Sequence, residues 1–177
     1  SAVSSPKRGS WKAKPSRRLT FQRISIIGVG LIGGSLGLAL RRTGFDGEIV
    51  GVSRARTIEQ AVALGAVDRG VDYDNLEAGV GASDLVVVCS PIQHIVATLP
   101  SIMRAVPAGA IVTDAGSTKR QIVQAATSVG RDDAWFVGGH PMAGSEKTGV
   151  GAADPFLFEN AIYVLVPNDA VPAGRHQ

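Results

Sequence analysis

Arg23-Ile24-Ser25-Ile26-Ile27 leads directly into Gly28-Val29-Gly30-Leu31-Ile32-Gly33, and how this junction is read decides the fold. From Ile24 to Leu40 the chain runs 17 residues without a charge, a stretch that by hydropathy resembles a signal peptide or a membrane anchor. As one helix it would span only about 25 Å at 1.5 Å per residue, short of a hydrocarbon core of about 30 Å. It also holds Gly28, Gly30, Gly33, Gly34 and Gly37, a density that disfavours a single helix in water. A β-branched strand, a glycine turn and a helix from Leu31 to Leu40 fit the spacing instead.

In that setting G-x-G-x-x-G has a physical reading. Gly28 permits a tight turn, Gly30 lets a pyrophosphate approach the backbone, and Gly33 lets helix and strand pack closely. Leu31 and Ile32 open the helix, whose free N–H groups and partial positive charge suit phosphate. The other reading is a structural glycine turn with no ligand. About 20 residues beyond the last glycine, an acid would bind the ribose 2′-hydroxyl of NAD. Ser53 stands there, followed by Arg54 and Arg56. A hydroxyl with two guanidiniums suits a 2′-phosphate, so NADP is expected over NAD. If both arginines are simply solvated, the preference stays open.

Working outward, Glu48–Val52 reads as a second strand. Thr57 begins a T-x-x-Q capping box with Gln60, which predicts a helix to about Leu64 stopped by Gly65. Leu85–Cys89 is five consecutive apolar residues, the mark of a strand covered on both faces. Helical spacing follows from Ile92 to Leu99, with Pro100 and Pro107 expected to break or restart the helix. Ala110–Thr113 reads as a strand, Thr118–Val129 as a helix, and Trp135–Val137 and Ala161–Val166 as strands. Strand and helix alternate without an internal sequence repeat, the pattern of an α/β, doubly wound, mostly parallel Rossmann-like sheet. Ligands in such sheets bind at the carboxyl ends of the strands.

Composition bounds the function. With 177 residues, 45% hydrophobic and 19% charged, the chain is one globular domain's worth of protein. Its net charge of +3 invites a nucleic-acid reading, but seven of the 18 cations lie in residues 1–23, which hold no acid. Residues 24–177 therefore carry 11 cations against 15 acids. The folded part is mildly acidic, and any nucleic-acid role falls to a basic tail, residues 1–22, that reads as disordered. The expected organisation is this tail, a dinucleotide-binding domain over 23–167, and a polar tail or truncated linker over 168–177. Cys89 cannot close an internal disulfide, so a reducing, cytoplasmic setting fits. His94, His140 and His176 have no partners at metal-ligand spacing, and no metal is expected. No membrane association is expected either.

The remaining strand ends carry the candidate chemistry. Cys89-Ser90-Pro91 should lie near the nicotinamide, with Ser90 and Pro91 shaping a cofactor loop; Cys89 has no evident base and is read as inert. Asp114-Ala115-Gly116-Ser117-Thr118-Lys119 ends the next strand, where Ser117 or Thr118 either caps the following helix or contacts substrate. Lys119 either attracts an acidic ligand or is solvated. In Gly138-Gly139-His140-Pro141-Met142-Ala143-Gly144, His140 is either a structural histidine or a general base facing the nicotinamide.

Gly28-Val29-Gly30-Leu31-Ile32-Gly33-Gly34-Ser35-Leu36, Cys89-Ser90-Pro91, Asp114 to Lys119 and above all Gly139-His140-Pro141-Met142-Ala143-Gly144 resemble the nucleotide-binding domain of the prephenate/arogenate dehydrogenase family of tyrosine biosynthesis. The similarity covers about Arg23 to Pro167 in the family's motif order. Gly51-Val52-Ser53-Arg54 looks most like the NADP-using arogenate branch. The resemblance implies oxidative decarboxylation of arogenate or prephenate to tyrosine or 4-hydroxyphenylpyruvate. His140 would draw the proton from the ring hydroxyl as hydride leaves the same carbon, and loss of the ring carboxylate as CO₂ would aromatise the product. Ser117 would hydrogen-bond to that hydroxyl or to His140. Thr118, Gly144 and Glu146 would line the substrate site, although a solvated Glu146 fits equally.

Family members continue into a helical domain that forms a homodimer and contacts the substrate, and this sequence stops at Gln177 before any such helices. Two further readings therefore stand: a non-catalytic dinucleotide-binding module or half of a split enzyme, and another reductase such as a β-hydroxyacid dehydrogenase. The last leans on a catalytic lysine, and the motif around His140 argues against it.

Overall fold

The computed structural model describes residues 20–166. The expected basic tail, apart from its last three residues, and the polar end lie outside them. Seven strands form one sheet: β1 (Arg23–Ile27), β2 (Glu48–Val52), β3 (Arg69–Val71), β4 (Leu85–Val88), β5 (Ile111–Asp114), β6 (Trp135–Pro141) and β7 (Tyr163–Val166). Their order is β3-β2-β1-β4-β5-β6-β7, with the first six parallel and β7 antiparallel to β6. The Rossmann-like, mostly parallel sheet expected from the alternation is present.

The helices are α1 (Leu31–Arg42), α2 (Ala55–Ala63), α3 (Leu76–Val80), α4 (Ile92–Ala105) and α5 (Arg120–Thr127). Side-chain alternation along the strands splits the core into two layers. Val86 and Val88 pack with Val80, Leu99, Ile102 and Ile122 of α3, α4 and α5. Val87 turns the other way, joining Ile24, Ile26 and Ala61 in the layer under α1 and α2. Continuous apolar strands are stable here because helices cover both faces.

Several local expectations give way. No capping box forms at Thr57: α2 starts at Ala55, after an extended Arg54 that supplies no side-chain cap. Pro100 lies inside α4, where the burial of Ile95, Leu99, Ile102 and Met103 outweighs one lost backbone hydrogen bond. Neither Ser117 nor Thr118 caps α5, which begins at Arg120 after Lys119 without a side-chain cap. Strand β4 ends at Val88, leaving Cys89 in the turn, and β7 begins at Tyr163. The strand expected over Trp135–Val137 continues through His140 to Pro141 because β7 pairs with its second half. The short β3 and α3 carry too few residues to show a period.

Residues 142–162 link β6 to β7 and lie across α1. A 3₁₀ turn, Val150–Ala152, packs on Gly34, the Asp154 N–H donates to Ser35 Oγ at 2.9 Å, and the Arg42 guanidinium lies 4.4 Å from the centre of the Phe156 ring.

Candidate functional site

The sheet order reverses direction between β1 and β4, the place where doubly wound sheets open a crevice at their carboxyl edge. Gly28 turns the chain there with φ of +85°, and a β-carbon on it would lie 2.6 Å from Ser90 Oγ. Gly33 closes on the turn from the helix side: a β-carbon there would lie 2.4 Å from the Gly28 carbonyl oxygen. Around a β-carbon on Gly30, by contrast, there would be nothing within 4 Å. The backbone is therefore bare where a ligand would approach it. Helix α1 has no side-chain cap and no acid in its first turn, so no side chain of that turn neutralises its leading N–H groups.

A cleft of about 440 Å³ occupies the crevice, lined among others by Gly28, Gly30, Ser53, Arg54, Ser90 and Pro91. Six of the ten residues expected to hold a dinucleotide thus share one cleft. Leu31, Ile32, Gly33 and Arg56 do not line it: Gly33 is buried in the helix–strand contact, and Arg56 is exposed on α2. Ser53 is buried, with its N–H donating to the Val71 carbonyl oxygen at 3.2 Å, while Arg54 is exposed. Sequence reasoning missed Thr57, Tyr73, His94 and Gly149 in the same cleft. Tyr73 and His94 meet edge to face with ring centres 4.8 Å apart. They are 21 residues apart, so no local pattern announces the pair.

Beside this cleft lies an apolar one of about 310 Å³, lined by Ile32, Leu36, Cys89, Ala115, Pro141 and Tyr163 among others. Cys89 borders both clefts. Burial, reinforced by the charge of Asp114, pushes its thiol up to about 12, which keeps it protonated and agrees with its reading as inert.

At the ends of β5 and β6 the central group is one that the sequence did not single out. Asp114 is fully buried. Its carboxylate accepts from Gly116 N–H at 2.9 Å and from Gly139 N–H at 3.1 Å, and pairs with the Lys119 ammonium. Lys119 also donates to the Gly139 carbonyl oxygen. It is therefore neither solvated nor free for an acidic ligand. Tyr163 covers the other face of Gly139, and its hydroxyl donates to the Asp114 carbonyl oxygen at 3.1 Å. Burial raises the pKa of that hydroxyl. These bonds bring together the segments that carry Ser117 and His140. Ser117 and Thr118 are exposed, and His140 is half-buried with no side-chain hydrogen bond among the described residues. Gly144 and Glu146 lie on the exposed stretch after β6, and Glu146 makes no ion pair among the described residues.

Among the described residues there is no cluster of three or more potential metal ligands, and no helix is long and apolar enough to cross a membrane.

A family model described as the prephenate dehydrogenase nucleotide-binding domain matches residues 36–175. The chain is 40% identical over 148 residues to the prephenate dehydrogenase of Bacillus subtilis, across 81% of this chain and 39% of that protein. Among solved structures, the prephenate dehydrogenase of A. aeolicus in complex with hydroxyphenyl propionate and NAD⁺ superposes with a TM-score of 0.80 at 33% identity, across 90% of this chain and 55% of that one. The arogenate dehydrogenase of Synechocystis superposes with a TM-score of 0.77 at 36% identity, across 87% and 53%. The chain spans about 40% of the length of the curated relatives it matches.

Proposed function

The chain belongs to the prephenate dehydrogenase family through its nucleotide-binding domain, and from that membership we propose that it forms the NADP-binding half of an enzyme that oxidatively decarboxylates arogenate or prephenate. The observation that carries the reading is the meeting of two features on one sheet edge: a bare glycine turn at the switch point, and His140 at the end of β6. The cofactor fits the residues present. Gly28 makes the turn, Gly30 leaves room for a pyrophosphate, and α1 offers uncapped N–H groups to it. Ser53 and Arg54 line the same cleft and would take the adenosine ribose, and no carboxylate is among the described residues that line it. The apolar cleft lined by Ile32, Ala115 and Pro141 suits the nicotinamide half.

When bound, the oxidised nicotinamide supplies the hydride acceptor. The chain's own residues handle the proton and the orientation. The His140 imidazole, without a side-chain hydrogen bond among the described residues, takes the proton of the ring hydroxyl, and Ser117 holds that hydroxyl by a hydrogen bond. Once hydride has left, the carbon–carboxylate bond breaks, its electron pair shifts through the ring to the carbonyl oxygen to complete the aromatic ring, that oxygen takes back the proton held by His140, and CO₂ departs. Thr118, Gly144 and Glu146 border the substrate. The A. aeolicus relative holds NAD⁺, and NADP is assigned here on Ser53 and Arg54.

The test uses the protein expressed from its complete coding sequence, with arogenate or prephenate as substrate and NADP⁺ or NAD⁺ as oxidant, followed by reduced-nicotinamide absorbance. Substrate-dependent reduction, faster with NADP⁺, is expected. Tight cofactor binding with no turnover on either substrate overturns the dehydrogenase reading in favour of a non-catalytic module.

A further inference from the structure

The reaction above uses Ser117 and His140 and leaves the buried carboxylate between their segments without a part. Asp114 grips the Gly139 N–H, Lys119 grips the carbonyl oxygen of the same residue, and the two gripping groups pair with each other. Gly139 is thus fixed at both of its backbone polar groups. The Tyr163 ring packs against its Cα so closely that a β-carbon there would lie 2.2 Å from the Tyr163 hydroxyl oxygen. His140 is the next residue. On the other side, Asp114 also holds Gly116 N–H, one residue before Ser117.

A buried ion pair is a poor source of net stability, because desolvating both charges offsets most of their attraction. Asp114 has no exposure, and the Lys119 side chain is 15% exposed. What such a pair supplies is a defined geometry, since every lone pair and N–H it satisfies sets a direction. We propose that Asp114 and Lys119 are positioning residues that lock the Gly139 peptide to the 115–119 turn, and so fix the His140 imidazole relative to Ser117, with Tyr163 as the backing of the lock. The consequence for catalysis rests on the dehydrogenase reading; the consequence for the geometry of His140 does not.

The test again uses the protein from its complete coding sequence, as Asp114→Asn, Lys119→Met, Lys119→Arg and Tyr163→Phe. Displacing a reacting group by an ångström costs about 100-fold in rate. Asp114→Asn and Lys119→Met are expected to lower kcat by about that factor while the Kd for NADP stays within about twofold. Lys119→Arg, which keeps a cation over the carboxylate, is expected to recover about tenfold of the loss. Tyr163→Phe removes one hydroxyl from a ring that otherwise stays in place, and keeps the test alive if the charge variants fail to fold. Its kcat is expected to fall about threefold to tenfold with the substrate KM unchanged. A kcat within threefold of the parent in Lys119→Met, or within experimental error in Tyr163→Phe, overturns the proposal. So does equal loss of kcat and NADP binding in Lys119→Met and Lys119→Arg, the mark of a merely structural pair. If the parent turns over neither substrate, the dehydrogenase reading falls by itself. Histidine-selective NMR then decides, with the His140 signal assigned by His140→Asn. A shifted or doubled His140 resonance in Lys119→Met supports the lock, and an unmoved one overturns it.

Discussion

A β-carbon on Gly28 would sit 2.6 Å from Ser90 Oγ, so the turn after β1 and the turn after β4 touch at the floor of the crevice. With φ of +85° at Gly28, both the backbone and the available space call for glycine. Gly28→Ala is expected to displace Ser90 and weaken NADP binding by at least about tenfold, the equivalent of 1.4 kcal/mol. Quenching of intrinsic fluorescence on cofactor titration measures it, and an unchanged Kd would separate the glycine turn from the ligand.

Arg54 is exposed at the rim of the cleft beside buried Ser53. A charge-assisted hydrogen bond to a 2′-phosphate is worth about 1.5–3 kcal/mol. Arg54→Ala should therefore weaken NADP by about tenfold to 100-fold and leave NAD nearly untouched. Parallel titrations with both cofactors check this; equal loss for the two would mean that Arg54 contacts a part they share. Arg56→Ala, outside the cleft, is expected to change little.

How far these sites could be read in the sequence depends on the distance over which their parts communicate. The glycine turn and its flanking strand and helix are contiguous, and the alternation of apolar runs with helical spacing makes the sheet class legible. Ser53 and Arg54 follow from a fixed offset. The Asp114, Lys119 and Tyr163 cluster is different. It joins residues up to 49 positions apart, and it is assembled by β6 and β7 pairing beside β5. Asp114 itself looked like the polar end of a strand, while the structure buries it completely. Local rules also failed where tertiary packing decided the outcome: Pro100 stays within α4 because that helix buries four apolar side chains, and α2 starts two residues before the capping box at Thr57.

Leu99 is fully buried between α4 and the sheet. Leu99→Ala is expected to lower unfolding stability by about 2–5 kcal/mol through lost burial and a residual cavity. Met142, 60% exposed, is a suitable control, with Met142→Ser within about 0.5 kcal/mol. Urea unfolding with an unchanged m-value checks both.

Cys89 adds a pH dependence. Its thiol titrates near 12 in the folded state because burial opposes the thiolate, above about 8.5 for a free cysteine. The folded state then holds its proton where the unfolded state has lost it. The corresponding stability is complete below about pH 8.5 and is lost as pH rises from there towards 12. Cys89→Ala should flatten that alkaline decline in a denaturation series. Native protein at pH 8 should also react with iodoacetamide far more slowly than protein unfolded in urea.

The most direct measurement compares the parent protein with His140→Asn, both from the complete coding sequence, for turnover with NADP⁺ and for NADP binding. A positioned general base contributes about 10²-fold to 10⁴-fold. A loss of kcat in that range with the NADP Kd unchanged is expected, because His140 does not line the cleft of Gly28 and Ser90. Turnover of His140→Asn within a few-fold of the parent would contradict the general-base role of His140.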